Sequence, residues 1–204
     1  MGQKRTTHPE SERNCIHEIS FEELKRISFL KTPHNVLALV RIPVQSPPVR
    51  PLSDRWSLLL ESIQDPGNLG AILRIAAWFG IEKVICSSDS VDVFNPKVVQ
   101  ASMGGILMTE ISYTDLQVFL NQARTERTPV YGMLLSGTSI FTLENILPGI
   151  ILLGNESRGI SDDLKPFITE PVTIPGNQEA VEFVNSLNLS TAAAVTCAIL
   201  TAGK

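Results

Sequence analysis

The sequence predicts an α/β protein with a mostly parallel sheet and helices on both of its faces. Two observations predict it. From residue 56 onward, short apolar runs of strand length alternate with longer segments of helical periodicity, the order that builds strand-helix-strand units. One of those runs, "GIILLGN", is strongly apolar, as a strand buried on both faces should be. The chain has 204 residues, 43% apolar and 19% charged, enough for a sizeable core and a globular fold.

The elements follow in order. Residues 1–15 are polar and read as a frayed tail. "SFEELKRISFL" begins with Ser20 and has Glu23 three residues on, a capping box ahead of a helix. "NVLALVRI" reads as a strand. "PVQSPPVRPLS" carries four prolines in eleven residues and reads as a linker. That places a boundary near residues 43–54, with a segment at 1–50 and a main domain at 51–204. "WSLLLES" is a predicted strand, and "NLGAILRIAAWFG" a helix with Asn68 placed to cap it and Gly80 to close it. "KVICSS" is a strand and "NPKVVQASMGG" a short helix. "MTEISY" is a weak strand, and "TDLQVFLNQART" a helix starting at Thr114. "PVYGMLLS", "GIILLGN" and "VTIPG" are strands. "SLNLSTAAAVTCAILTAG" is a long final helix.

Bulk properties exclude several chemistries. No apolar run approaches the ~18–20 residues of a membrane span, and the polar start shows no secretory signal. Cys15, Cys86 and Cys197 are widely spaced, which argues for a reducing, cytoplasmic setting and against a disulfide framework or a metal site. All three histidines lie within the first 34 residues. The main domain must therefore work without imidazole. Residues 1–55 carry a net charge of +3 and residues 56–204 a net of −7, so a polyanion would prefer the first part.

Three segments fall at the carboxyl ends of predicted strands, where open α/β sheets bind ligands. In "DPGNLGAILRIAAWFG", Leu69, Ile72, Leu73, Ala76 and Phe79 form an apolar stripe. Arg74 lies opposite, beside Ala71, Ala77 and Trp78. It is either a solvated surface cation or a guanidinium held for a phosphate or carboxylate. In "IILLGNESRGIS", Gly154 lets a ligand approach the backbone, and Glu156 and Arg158 precede a helix capped by Ser161. In "VNSLNLSTAAAV", Ser186, Asn188 and Ser190 alternate with Leu187 and Leu189 ahead of an Ala-rich helix. Taken singly, the last two fit an ordinary strand-turn-helix link and a polar helix start.

In combination they resemble something specific. Asn68 and Arg74 after a strand, then a strand ending Gly154-x-Glu156, then Ile174-Pro175 followed by Ser186-Leu187-Asn188, resemble the SpoU (TrmH) family of RNA ribose methyltransferases, of the SPOUT superfamily. The resemblance covers roughly residues 56–202. It implies a C-terminal trefoil knot, a homodimer, and S-adenosylmethionine bound in the knot. Arg74 would be the working group, with Asn68, Glu156, Ser186 and Asn188 orienting it and the nucleotide. Leu153, Gly154, Ile174, Pro175, Gly176, Leu187 and Leu189 would hold the cofactor, largely through backbone groups. Arg55, Arg74 and Arg158 would meet RNA, either rRNA or tRNA. "ISFLKTPHNVLALVRIP" resembles the last helix and strand of a ribosomal-protein-like RNA-binding domain, implying a truncated RNA-binding segment at the start. The chain departs from the family in a longer link, "PGNQEAVEFVNSLN", and in Asn185 where glutamate is frequent.

Two rival functions compete with this reading. A non-catalytic RNA-binding or ribosome-assembly protein could keep the fold, and the shortened first segment motivates it. A dinucleotide enzyme would need GxGxxG after the first strand, and "DPGNLG" is not one. Cytosine methylation through a Cys nucleophile is disfavoured, because Cys86 and Cys197 fall in predicted core.

Overall fold

The structure, a computed structural model, describes residues 16–28, 30–42, 54–177 and 186–201. The expected frayed tail and the proline-rich linker lie outside the described residues, as do residues 178–185. The chain divides into two compact units, with the boundary after Ile42.

The first unit contains helix α1 (Phe21–Ile27). The predicted capping box is present: Ser20 Oγ accepts from the Glu23 N–H at 3.3 Å, and the Glu23 carboxylate accepts from the Ser20 N–H at 2.8 Å. The strand expected at "NVLALVRI" does not form. Residues 36–42 pair with no strand, and Val36, Leu39 and Val40 are 82%, 97% and 76% exposed. A strand needs a neighbour for its backbone groups, and no strand is described in this unit.

The second unit is a six-stranded sheet, all parallel. Its strands are β1 (Ser57–Leu60), β2 (Lys83–Ser87), β3 (Glu110–Thr114), β4 (Val130–Ser139), β5 (Ile150–Leu153) and β6 (Glu170–Thr173). The order across the sheet is β3-β2-β1-β5-β4-β6. The chain therefore builds outward from β1 to β3, then returns to place β5 against the other edge of β1. That reversal between β1 and β5 opens a crevice at their carboxyl ends.

Among the described residues, the α-helices of this unit are α2 (Pro66–Trp78), α3 (Pro96–Ser102), α4 (Leu116–Thr125) and α5 (Leu189–Thr201). Alternate strand residues feed opposite layers. Leu58, Leu60, Ile151 and Leu153 join α2, Val98 of α3, and Ala193 and Cys197 of α5 in one cluster. Leu59, Ile150 and Leu152 join Leu116, Phe119, Leu120 and Ala123 of α4 in the other. Helices thus cover both faces, and the central strands are buried at every position. The predicted stripe of α2 is its core face, with Leu69, Ile72, Leu73 and Ala76 fully buried.

Four boundaries differ from expectation. Asp65, not Asn68, caps α2: its carboxylate accepts from the Asn68 N–H at 2.8 Å, and Pro66 follows at the first helical position, where its missing N–H costs nothing. Asp115, not Thr114, caps α4. No α-helix follows Ser161. Residues 162–164 form a turn and Lys165–Phe167 a 3-10 turn, because Pro166 lacks an N–H and disfavours helical backbone at Lys165. The last helix begins at Leu189, not Ser186, because Asn188 Oδ1 accepts from the N–H groups of Ser190 and Thr191 at 2.9 and 3.3 Å. Gly80 does close α2 as expected, with φ of +69°.

Candidate active site

The loops leaving β1 and β5 meet in the crevice. The Glu61 N–H donates to Leu153 O at 2.9 Å, carrying the ladder one residue past β1. Glu61 then turns its carboxylate to the Ser161 N–H at 3.0 Å. Beyond it, Asp65 starts α2 and puts Asn68 in the first turn.

Asn68 is the joint of the site. Its Nδ2 donates to Glu156 Oε1 at 3.2 Å, and its Oδ1 accepts from Asn188 Nδ2 at 3.0 Å. The same Glu156 oxygen lies 3.4 Å from the Asp65 backbone N–H. Three segments separated by 88 and 120 residues are thereby tied into one polar chain. Each amide uses both ends, donor and acceptor. Asn188 spends its oxygen on the start of α5 and its nitrogen on Asn68, so the cap that begins α5 also sets its distance from α2.

Asn155 is a second joint, which the sequence did not single out. Its Nδ2 donates to Ser62 O at 2.7 Å and reaches Glu156 Oε2 at 3.4 Å. Its Oδ1 accepts from the N–H groups of Ser157 and Arg158 at 3.0 and 3.1 Å. An asparagine whose side chain accepts from N–H groups two and three residues on is a frequent turn device, and that signal was available in "GNESRG". The loop closes with paired backbone bonds between Asn155 and Gly159 at 3.0 and 2.9 Å.

Gly154 has a packing role that the sequence did not show. A Cβ there would meet Gly159 C at 2.2 Å and Ile160 N at 2.3 Å. The protein's own returning loop by itself demands the missing side chain.

The other predicted residues divide. Leu153 is buried in the core, and Ile174 and Leu189 pack against it. Pro175, Gly176, Ser186 and Leu187 are exposed at the same end of the sheet. Asn185 lies outside the described residues. Arg158 is exposed in the Asn155 loop. Arg74 is exposed too, and has no hydrogen bond or ion pair among the described residues. It lies six residues beyond Asn68, about 9 Å along the axis and about 120° around it, outside the Asn68–Glu156–Asn188 chain. The turn at Gly105–Leu107 packs under it, since a Cβ on Gly105 would come within 2.9 Å of Arg74 Cα. Arg55 is not part of this site. It precedes β1, at the opposite end of the sheet, and pairs with Glu82 at 3.0 Å.

Cys86 and Cys197 are both buried, and burial pushes each thiol up to about 12. Neither offers a thiolate near neutral pH.

A match to the SpoU rRNA Methylase family spans residues 55–198. The chain belongs to the SpoU family. Relatives agree with the assignment. The 23S rRNA (guanosine(2553)-2′-O)-methyltransferase RlmP of Bacillus subtilis is 26% identical, over 87% of this chain and 68% of its own. The solved structure of a TrmH-family protein from Porphyromonas gingivalis is 40% identical, covers 87% of this chain and 70% of its own, and has a TM-score of 0.76. That of the SpoU methyltransferase AviRb from Streptomyces viridochromogenes, in complex with AdoMet, is 26% identical, covers 76% and 62%, and has a TM-score of 0.65. The chain spans 64% of the length of another relative, an uncharacterized tRNA/rRNA methyltransferase of Synechocystis.

Proposed function

We propose that this chain is an S-adenosylmethionine-dependent methyltransferase acting on a ribose 2′-hydroxyl of rRNA or tRNA, as a cytoplasmic homodimer. The observation that carries the reading is the Asn68–Glu156–Asn188 chain, which joins the three family segments at the sheet's switch point. AviRb with its AdoMet and RlmP with its 2′-O reaction support cofactor and chemistry.

The residues fit that cofactor. Ile174 and Leu189 rest on the core, which fixes the backbone beside them. Leu187 leaves 49% of its surface exposed, an apolar side chain able to cover a purine. Leu153, Gly154, Pro175 and Gly176 would complete the seat, mostly through backbone groups. S-adenosylmethionine, when bound, supplies an electrophilic methyl group that leaves sulfur for the ribose oxygen.

The chain's own residues then hold and polarise the nucleotide. Arg74 brings a guanidinium, a planar fork of five N–H donors with no acceptor. It serves best by gripping a phosphate and stabilising charge that develops on the 2′-oxygen. With no partner among the described residues, it keeps its donors available. Glu156 and Asn188 fix Asn68, and Ser186 stands exposed beside them. Arg158 adds a cation at the mouth of the crevice.

The test is transfer of labelled methyl from S-adenosylmethionine to transcribed 23S rRNA and to total tRNA. Arg74→Ala should lower kcat by about 10²–10³-fold with the melting temperature unchanged. Full activity in that variant removes the role given to Arg74. RNA binding by the wild type without any methyl transfer overturns the enzymatic reading.

A further inference from the structure

The loop that aims α2 into the crevice is held in an unusual way. Ser62 follows the end of β1 and has φ of +53°, a left-handed backbone that a residue with a side chain adopts only when its surroundings force it. Every polar group of Ser62 is engaged. Its N–H donates to Ser87 Oγ at 2.7 Å. Its hydroxyl donates to Asp89 Oδ2 at 2.6 Å. Its carbonyl accepts from Asn155 Nδ2 at 2.7 Å. The next two residues are fastened to the same turn after β2. The Ile63 N–H donates to Ser90 Oγ at 3.1 Å, Ile63 O accepts from the Val91 N–H at 2.8 Å, and Gln64 Nε2 donates to Asp89 O at 2.8 Å.

We propose that Asp89 is a positioning residue of the active site, whose carboxylate locks the left-handed Ser62 turn and so sets Asn68 against Glu156. The inference rests on the methyltransferase reading for its functional consequence. The geometry is short and continuous. Asp89 holds Ser62, Ser62 holds Asn155, and Asn155 is bonded to Glu156 on one side while the Ser62 turn leads in three residues to Asp65 and the start of α2. Both ends of the Asn68–Glu156 contact therefore depend on one turn. Asp89 is ready for this work, because the hydroxyl of Ser62 first, then that of Ser87, holds its carboxyl below the usual value, with a smaller pull from Arg158. Among the described residues, Asp89 makes no hydrogen bond to any residue assigned to cofactor or ribose.

The experiment compares Asp89→Ala and Asp89→Asn with the wild type. It measures methyl transfer from S-adenosylmethionine to 23S rRNA and total tRNA, and amide hydrogen exchange over residues 61–69 and 155–161. Asp89→Ala should lower kcat about 10- to 100-fold, the cost of a misplacement near 1 Å. The KM for S-adenosylmethionine should stay within about twofold, since the binding groups are untouched. Exchange in both segments should quicken. Asp89→Asn keeps an oxygen to accept from Ser62 and should restore both rate and protection. Unchanged kcat and exchange in Asp89→Ala overturns the proposal. So does an Asp89→Asn variant as slow as Asp89→Ala, which would mean the charge acts on substrate directly. If the wild type methylates no RNA, the functional reading fails by itself. Exchange then decides the positioning role, quickened by Ala and restored by Asn, or refuted.

Discussion

At the scale of residues, the two joints of the site are amides, and the position between strand and joint is a glycine for reasons of space. Gly154 faces the backbone of Gly159 and Ile160 at 2.2–2.4 Å from where a Cβ would stand. The obstacle is main chain, which cannot rotate aside as a side chain can. Gly154→Ala should therefore displace the Asn155–Gly159 loop and destabilise the protein by about 3 kcal/mol, at the upper end of ordinary overpacking. For a chain of this length that lowers Tm by about 6–12 °C, readable by calorimetry. An unshifted Tm would show that the loop gives way freely. Asn68 and Asn188 each bond at both ends, so each fixes one neighbour by giving and another by accepting.

At the scale of elements, α2 is the most consequential helix. One face enters the core through Leu69, Ile72, Leu73 and Ala76. Gly70 admits α3 closely, since a Cβ there would meet Val98 O and Ala101 Cβ at 2.6 Å. The outer face carries Arg74 to solvent. Asp65 caps it, and a cap of this kind is worth about 1 kcal/mol. Asp65→Ala should lower Tm by about 2–4 °C, whereas Asp65→Ser, which keeps a side-chain acceptor, should recover most of the loss. Equal melting of the two variants would show that the Asp65 oxygen is not the stabilising group. The missing strand at residues 36–42 shows the opposite situation. Its apolar sequence suits a strand, but strand identity depends on a partner, and its own unit supplies none among the described residues.

At the scale of the whole molecule, the second unit exposes several large apolar side chains on α2 and in the segment after α3. Trp78, one turn along α2 from Arg74, is 82% exposed, and Met103, Leu107 and Met108 are 73%, 86% and 69% exposed. The turn carrying Leu107 packs against the backbone at Arg74. Apolar patches of this kind mark interaction sites, and the proposed homodimer is the occupant that the functional reading supplies. Sedimentation should give twice the 22.3 kDa chain mass for the wild type. A charge placed in the patch, Trp78→Glu, should shift the mass toward one chain. A monomeric wild type at micromolar concentration would refute the dimer.

The sequence by itself determined a good deal of this protein. Period and punctuation are local properties, so the βα alternation, the capping box at Ser20, the core stripe of α2 and the closing Gly80 were all legible. So were Asn68, Glu156 and Asn188 as candidates, because their residue types and order along the chain carry the family's pattern. Tertiary structure alone decided the rest. Which strand enters beside β1 is a matter of packing between segments about ninety residues apart, and that insertion of β5 creates the crevice. Asp65 caps α2 one turn earlier than expected, and the Asn68 side chain reaches Glu156 and Asn188 across the crevice. The neighbour that demands Gly154, and the clamp that holds Ser62 left-handed, exist only where distant loops converge. Short-range sequence encodes what a segment can be, and long-range contact selects what each polar group must do.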